Sequence, residues 1–266
     1  MDSESPGLAI CSVCGGELRA AARFCTFCGK RASPAEPELT PAAELESAPP
    51  DSASASTNRW HELRVVGWLF GLLLLSSLVW GIAYSIEPNG DFLPWTTLIE
   101  GLVIVGFAGY YRREIVPLLL PSSFDRNARD SLAVATVIQF ALLGAAFYLL
   151  HKTGVPFERI TDEMQRHHYG LWQLIAFYSL APAVLEEIAF RGIIFNRLSL
   201  VLGEREAWLV QAAFFSVLHL SPVIFLTHFG MGLIFGWLRM RTRSLLPGMV
   251  LHGVWNASVI LLELHR

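Results

Sequence analysis

Val65–Ile86 runs without a single charged side chain. As a helix, at about 1.5 Å per residue, it is long enough to cross the roughly 30 Å hydrocarbon core of a bilayer. Inside hydrocarbon every backbone N–H and C=O must find its partner within the protein. This run therefore has to be a helix, and the chain has to be organised around it.

Further apolar runs follow. Trp95–Tyr111 carries only Glu100 near its start, and Ser131–Leu150 is free of charge. Tyr169–Leu185 is apolar and continues past a charged motif to about Leu202. Ala207–Leu238 contains two histidines and is too long for one span; Ser221-Pro222 marks the expected break. Ser244–Leu262 is the last run. The pattern predicts an all-α, polytopic bundle of seven transmembrane helices, or eight if residues 192–203 turn away separately. Composition agrees: 53% hydrophobic residues and 16% charged, below the roughly 25% of ordinary soluble domains. No basic region followed by an apolar one opens the chain, so no cleavable signal peptide is expected. The net charge of −3 says nothing about partners, and no basic stripe points to a nucleic acid, so none is expected.

Ahead of the bundle, residues 11–28 read CSVCGGELRAAARFCTFC, with Cys11, Cys14, Cys25 and Cys28 in two CxxC pairs. That spacing offers four thiolates to one tetrahedral ion. Gly15 and Gly29 follow the second cysteine of each pair and suit tight turns. The segment resembles a short zinc ribbon, and structural zinc would supply its folding energy, since it is too short for a core. Reduced thiolates imply a cytoplasmic N-terminus. Residues 32–58, rich in Ala, Pro and Ser, read as a disordered linker. The expected organisation is thus a ribbon at 1–31, a linker at 32–58 and a membrane domain at 59–266. The ribbon could bind a protein partner or be an inert accessory.

Basic residues set the orientation. With the N-terminus inside, twelve arginines from Arg59 to Arg243 fall on inner segments, while Lys152, Arg159, Arg166 and Arg266 fall outside. The bias predicts a multi-pass cell-membrane protein with a cytoplasmic N-terminus.

Ionisable groups at membrane depth point to function. Glu100, Glu186, Glu187, Arg191, His219, His228 and His252 qualify, with Asn256 one turn from His252. Glu187 and Arg191 are spaced i,i+4 and can pair. Glu186 is turned about 100° away, leaving a carboxylate suited to general-base work. Glu186, His219 and His252 fall on three helices at about 10–18 Å from the inner boundary by helical rise. His228 reads as a helix-to-helix hydrogen bonder. Glu100 reads as facing outer water or a neighbouring helix.

These motifs resemble those of the CPBP (CAAX protease and bacteriocin-processing, or Abi) family of intramembrane proteases. EEIAFRG (186–192) is similar to its EExxxR motif, Phe215–His219 to FxxxH, and His252–Asn256 to its late histidine-plus-asparagine motif. The resemblance covers roughly residues 130–262. It implies an endopeptidase acting on a membrane-associated peptide or protein, with Glu186 and His219 activating water and His252 and Asn256 stabilising the oxyanion. Glu187 and Arg191 would organise the helix. Both zinc-dependent and metal-free chemistry are consistent with the motifs. Neither a prenylated nor any other particular substrate is indicated. A non-proteolytic membrane immunity or scaffold protein using the same cavity is the alternative, though a scaffold has no need of proton-handling groups. A proton-coupled transporter would explain the buried acids but not the His–Asn pair.

Overall fold

The computed structural model describes residues 9–10, 17–18, 52–120, 126–154 and 160–265. The chain divides into two units, Met1–Pro50 and Asp51–Arg266. In the first, β1 (Ala9–Ile10) pairs antiparallel with β2 (Glu17–Leu18), Ala9 opposite Leu18 and Ile10 opposite Glu17. The four cysteines expected to bind zinc lie outside the described residues.

The second unit is all helix among its described residues. The helices are α1 (Ser52–Ile86), α2 (Leu93–Tyr110), α3 (Arg112–Ile115), α4 (Arg126–Thr153), α5 (Ile160–His167), α6 (Leu171–Leu202), α7 (Glu204–Leu218), α8 (Phe225–Thr242) and α9 (Leu246–Leu264). A 3₁₀ turn, Val116–Leu119, follows α3. Five helical stretches are long and apolar enough to cross a membrane: Arg59–Ile86, α2, α4, α6 and α9. The 15-residue α7 and the 18-residue α8 fall outside that set. Seven of the nine helices correspond to the six apolar runs, with α7 and α8 sharing Ala207–Leu238. Helix α6 continues unbroken to Leu202, so residues 192–203 form no separate eighth helix. The break expected at Ser221-Pro222 falls between α7 and α8. Helix α1 begins at Ser52, inside the Ala/Pro/Ser-rich stretch.

The bundle is apolar on its outside and partly polar within, the arrangement a lipid solvent favours. Trp68, Leu102 and Val137 are exposed, whereas Gln139, Gln211, Ser179, Glu187, Arg191 and His252 are buried. The buried amides and hydroxyls tie helices together. Gln139 Nε2 donates to Leu251 O at 2.8 Å, joining α4 to α9. Ser179 Oγ donates to Gly253 O at 2.8 Å, joining α6 to α9. Trp208 Nε1 and Gln211 Nε2 donate to Leu233 O and Gly232 O, joining α7 to α8. At one end of α6, Arg197 pairs with Glu62 of α1 at 2.9 Å and with Glu114 of α3, and its guanidinium lies 4.7 Å from the Tyr111 ring centre.

Helix α6 departs from regular α geometry twice. Ile175–Leu180 and Glu187–Ile194 adopt π-type bonding. Pro182, without an amide hydrogen for the carbonyl four residues back, follows the first closely. The second contains Glu187 and Arg191, and such widened turns frequently occur at functional positions.

Candidate active site

Glu187 is the centre of the charged cluster. Its Oε1 lies 3.0 Å from Arg191 Nη1 and 3.2 Å from His252 Nδ1, and all three side chains are buried. The Arg191 contact is an ion pair by distance without the alignment of a hydrogen bond. The guanidinium is instead enclosed by rings, 4.4 Å from the centre of Phe215, 5.3 Å from Phe235 and 5.9 Å from Phe190. Guanidinium planes tolerate such stacking because they are weakly hydrated and attracted to ring faces. Room for the Glu187 carboxylate comes from Gly248, where a Cβ would stand 2.9 Å from Oε2.

His252 sits between the two glutamates. Its Nδ1 faces Glu187, and a carboxylate there makes Nδ1 the hydrogen-bearing nitrogen. Its Nε2 then faces Glu186 Oε2 at 3.8 Å. That gap is too long for a hydrogen bond, and Glu186 Oε2 has no hydrogen-bond partner although the atom is buried. The Phe235 ring stacks on the imidazole at 5.1 Å and 26°. The expected i,i+4 pairing of Glu187 with Arg191 is present. The second partner of Glu187, His252, was not readable from spacing, because it depends on how α9 is rotated against α6.

His219 lies just beyond the end of α7. Its Nδ1 donates to Phe215 O at 2.8 Å, which leaves Nε2 open. The Phe215 ring is the common neighbour of three histidines, with centroid distances of 5.0 Å to His219, 6.0 Å to His228 and 5.9 Å to His252. Asn256 is half-buried one turn along α9 from His252. No hydrogen bond joins His219 or Asn256 to either glutamate.

Two residues contribute more than their sequence context suggested. His228 packs on His219, and Glu100 of α2 shares a small pocket of about 50 Å³ with Glu186. Thr97, Ile104, Phe177, Pro182 and Leu185 complete its wall, so it lies between α2 and α6. The only advance signal for either was an ionisable side chain in an apolar run.

Zinc chemistry would require Glu186, His219 and His252 to converge on one ion. Among the described residues no three His, Cys, Asp or Glu side chains are gathered closely enough to do so. The donor set as it stands does not fit a catalytic metal.

The fold and cluster define a multi-pass helical membrane protein with paired carboxylates and imidazoles in its interior. Residues 168–258 match the family described as Type II CAAX prenyl endopeptidase Rce1-like, a family of peptide-bond hydrolases. The matched segment runs from just before α6 into α9 and contains every residue of the cluster except Glu100. Comparison with curated proteins and with solved structures gave no match.

Proposed function

We propose that the chain is an intramembrane endopeptidase that hydrolyses a peptide bond in a membrane-associated peptide or protein, with Glu186 as general base. One observation carries the reading: Glu186 Oε2 and His252 Nε2 stand 3.8 Å apart with no direct bond. Two polar atoms at that separation can both touch a single water molecule. Glu186 takes the proton of that water as its oxygen bonds to the scissile carbonyl carbon, and returns it to the leaving amine as the C–N bond breaks. His252, fixed through Nδ1 by Glu187, and His219, whose Nε2 is open, orient the water and the carbonyl. The Asn256 side-chain amide donates to the carbonyl oxygen as it gains charge, a task suited to a fixed donor in a dry site. Glu187 and Arg191 hold the arrangement without touching the reacting atoms.

Cys11, Cys14, Cys25 and Cys28 bind one structural zinc ion in this reading, on the cytoplasmic side of the membrane. The ribbon serves as a tethered docking element for a protein partner or the substrate. Metal analysis of full-length protein should find zinc that is lost in a Cys11→Ser, Cys14→Ser variant; equal zinc in both would overturn the assignment.

The test of the activity uses full-length wild type and Glu186→Ala in lipid vesicles, each given membrane-tethered peptide libraries with products read by mass spectrometry. Cleavage by the wild type alone is expected. Equal cleavage by both would remove Glu186 as the base.

A further inference from the structure

His228 lies in the first turns of α8, and none of the three motifs assigns it a role. The connection from α7 to α8 explains how it reaches the site. Helix α7 ends at Leu218, and Leu220 turns the chain with a φ of +50°. Ser216 Oγ donates to Phe225 O at 2.5 Å, pinning the start of α8 against the last turn of α7. The hairpin closes so tightly that the His219 and His228 ring centroids are 3.9 Å apart, with planes inclined at 44°. Each ring is also held by its own helix. His219 Nδ1 bonds Phe215 O at 2.8 Å, and His228 Nδ1 bonds Ile224 O at 3.0 Å. A carbonyl only accepts, so Nδ1 carries the hydrogen in both rings.

The His219 ring therefore has three restraints: the Phe215 carbonyl, the edge contact of the Phe215 ring, and the His228 face. The first acts on χ2, because Nδ1 lies off the Cβ–Cγ axis, and leaves the ring only the play that one hydrogen bond allows in a torsion that is broad for histidine. Phe215 meets it edge-on at 66° and 5.0 Å. The close contact with His228, its plane tilted by 44°, packs against the ring and limits that remaining play.

We propose that His228 is a positioning residue of the active site, holding the His219 imidazole by ring contact so that Nε2 keeps its orientation. The catalytic consequence rests on the endopeptidase reading above; the contact itself does not. A misplacement of about 1 Å in a positioned group can lower a rate by roughly a hundredfold. The hydrogen-bonding capacity of His228 is incidental to this role, and its ring face is what matters.

The experiment compares full-length wild type, His228→Phe, His228→Gln and His228→Ala in detergent micelles, by cleavage kinetics and by NMR of ¹³C-histidine-labelled protein. His228→Ala and His228→Gln should lower kcat about tenfold or more with KM changed less than twofold, while His228→Phe should stay within about threefold of wild type, following the cost of small misplacement. The His219 ring signals should shift and broaden in the Ala and Gln variants and stay sharp in the Phe variant. Unchanged kcat in His228→Ala, or His219 signals that do not move, would overturn the proposal. A kcat loss in His228→Phe as large as in His228→Ala would also overturn it. If the wild type cleaves nothing while the His219 signals respond as expected, the contact stands and the endopeptidase reading fails.

Discussion

Glu187 Oε1 bonds His252 Nδ1 at 3.2 Å while standing 3.0 Å from Arg191 Nη1, so one carboxylate oxygen serves a cation on its own helix and an imidazole on another. Removing that carboxylate exposes an unbalanced guanidinium in the core. Breaking a buried pair by deleting one partner costs about 3–5 kcal/mol, whereas replacing both by apolar groups is often near neutral. Glu187→Gln should therefore be strongly destabilised. Glu187→Gln combined with Arg191→Met should recover much of the loss. Unfolding in mixed micelles titrated with denaturing detergent reads both, and equal losses in the single and double variants would contradict the pairing.

Glu186 differs from its neighbour in having no such obligation. Its Oε2 lacks a hydrogen-bond partner and no cation of its own helix pairs with it. Glu186→Gln should leave unfolding unchanged and lower kcat by about 10²–10⁴, the usual range for a lost general base. Peptide cleavage kinetics beside an unfolding curve check the split. A stability loss as large as that of Glu187→Gln would show that the two glutamates are not divided in this way.

Much of this was legible in the sequence, and the limits have a physical cause. The helix positions follow from the apolar runs, five of them long enough to span, the α7–α8 break from Ser221-Pro222, and the Glu187–Arg191 pair from i,i+4 spacing. Rotation of each helix was not legible. In a water-soluble bundle the polar face marks the outside, but here Leu102 meets the exterior and Leu69 the core, and both are leucine. Hence sequence left open whether Glu100 faces outer water or a neighbouring helix, and it borders a pocket with Glu186, while His228, read as a helix-to-helix hydrogen bonder, bonds Ile224 O four residues back and packs its ring on His219. The π-type turns of α6 were equally hidden, since they reflect local bonding that residue periodicity does not encode.

Gly248 offers a test of how closely the cluster is packed. A Cβ there would lie 2.9 Å from Glu187 Oε2, whereas at Gly253, on the same helix, the nearest atom would be at 3.6 Å. Alanine favours a helix over glycine by about 1 kcal/mol, so Gly253→Ala should be neutral or stabilising. Gly248→Ala should instead destabilise by about 1–3 kcal/mol, the range for overpacking, and should lower cleavage by moving Glu187 off His252. Parallel unfolding curves of the two variants decide it; indistinguishable behaviour would mean the carboxylate can relax freely.

Arg197 joins three helices that are distant in sequence, pairing with Glu62 and Glu114 and lying against Tyr111. Glu62 is 7% exposed, so truncating the arginine leaves a buried carboxylate with only the exposed His61 imidazole, 3.4 Å away, beside it. Arg197→Met should cost about 3–5 kcal/mol, and Arg197→Met with Glu62→Gln clearly less. Because the node lies well along α6 from the Glu187–Arg191–His252 cluster, KM should change little at temperatures where the variant stays folded. Unfolding titrations and kinetics at low temperature check both parts.

Helices α7 and α8 meet at Gly232, where a Cβ would stand 2.8 Å from both the Cα and the Cβ of Ala212. Backbone cannot yield as a flexible side-chain tip can, so Gly232→Ala must push the two helices apart. Small residues at membrane helix contacts allow this close approach, and the Trp208 and Gln211 bonds to the opposing carbonyls depend on it. The expected cost is about 1–3 kcal/mol, set against a helix-propensity gain of about 1 kcal/mol. Separation would also widen the hairpin that presses His228 onto His219, so cleavage should fall further than stability alone accounts for. Gly144→Ala on α4, where nothing lies within 4 Å of the added Cβ, is the control and should be neutral or slightly stabilising. If Gly232→Ala matches Gly144→Ala in both unfolding and kcat, the close approach of α7 and α8 does not set the geometry of the histidine pair.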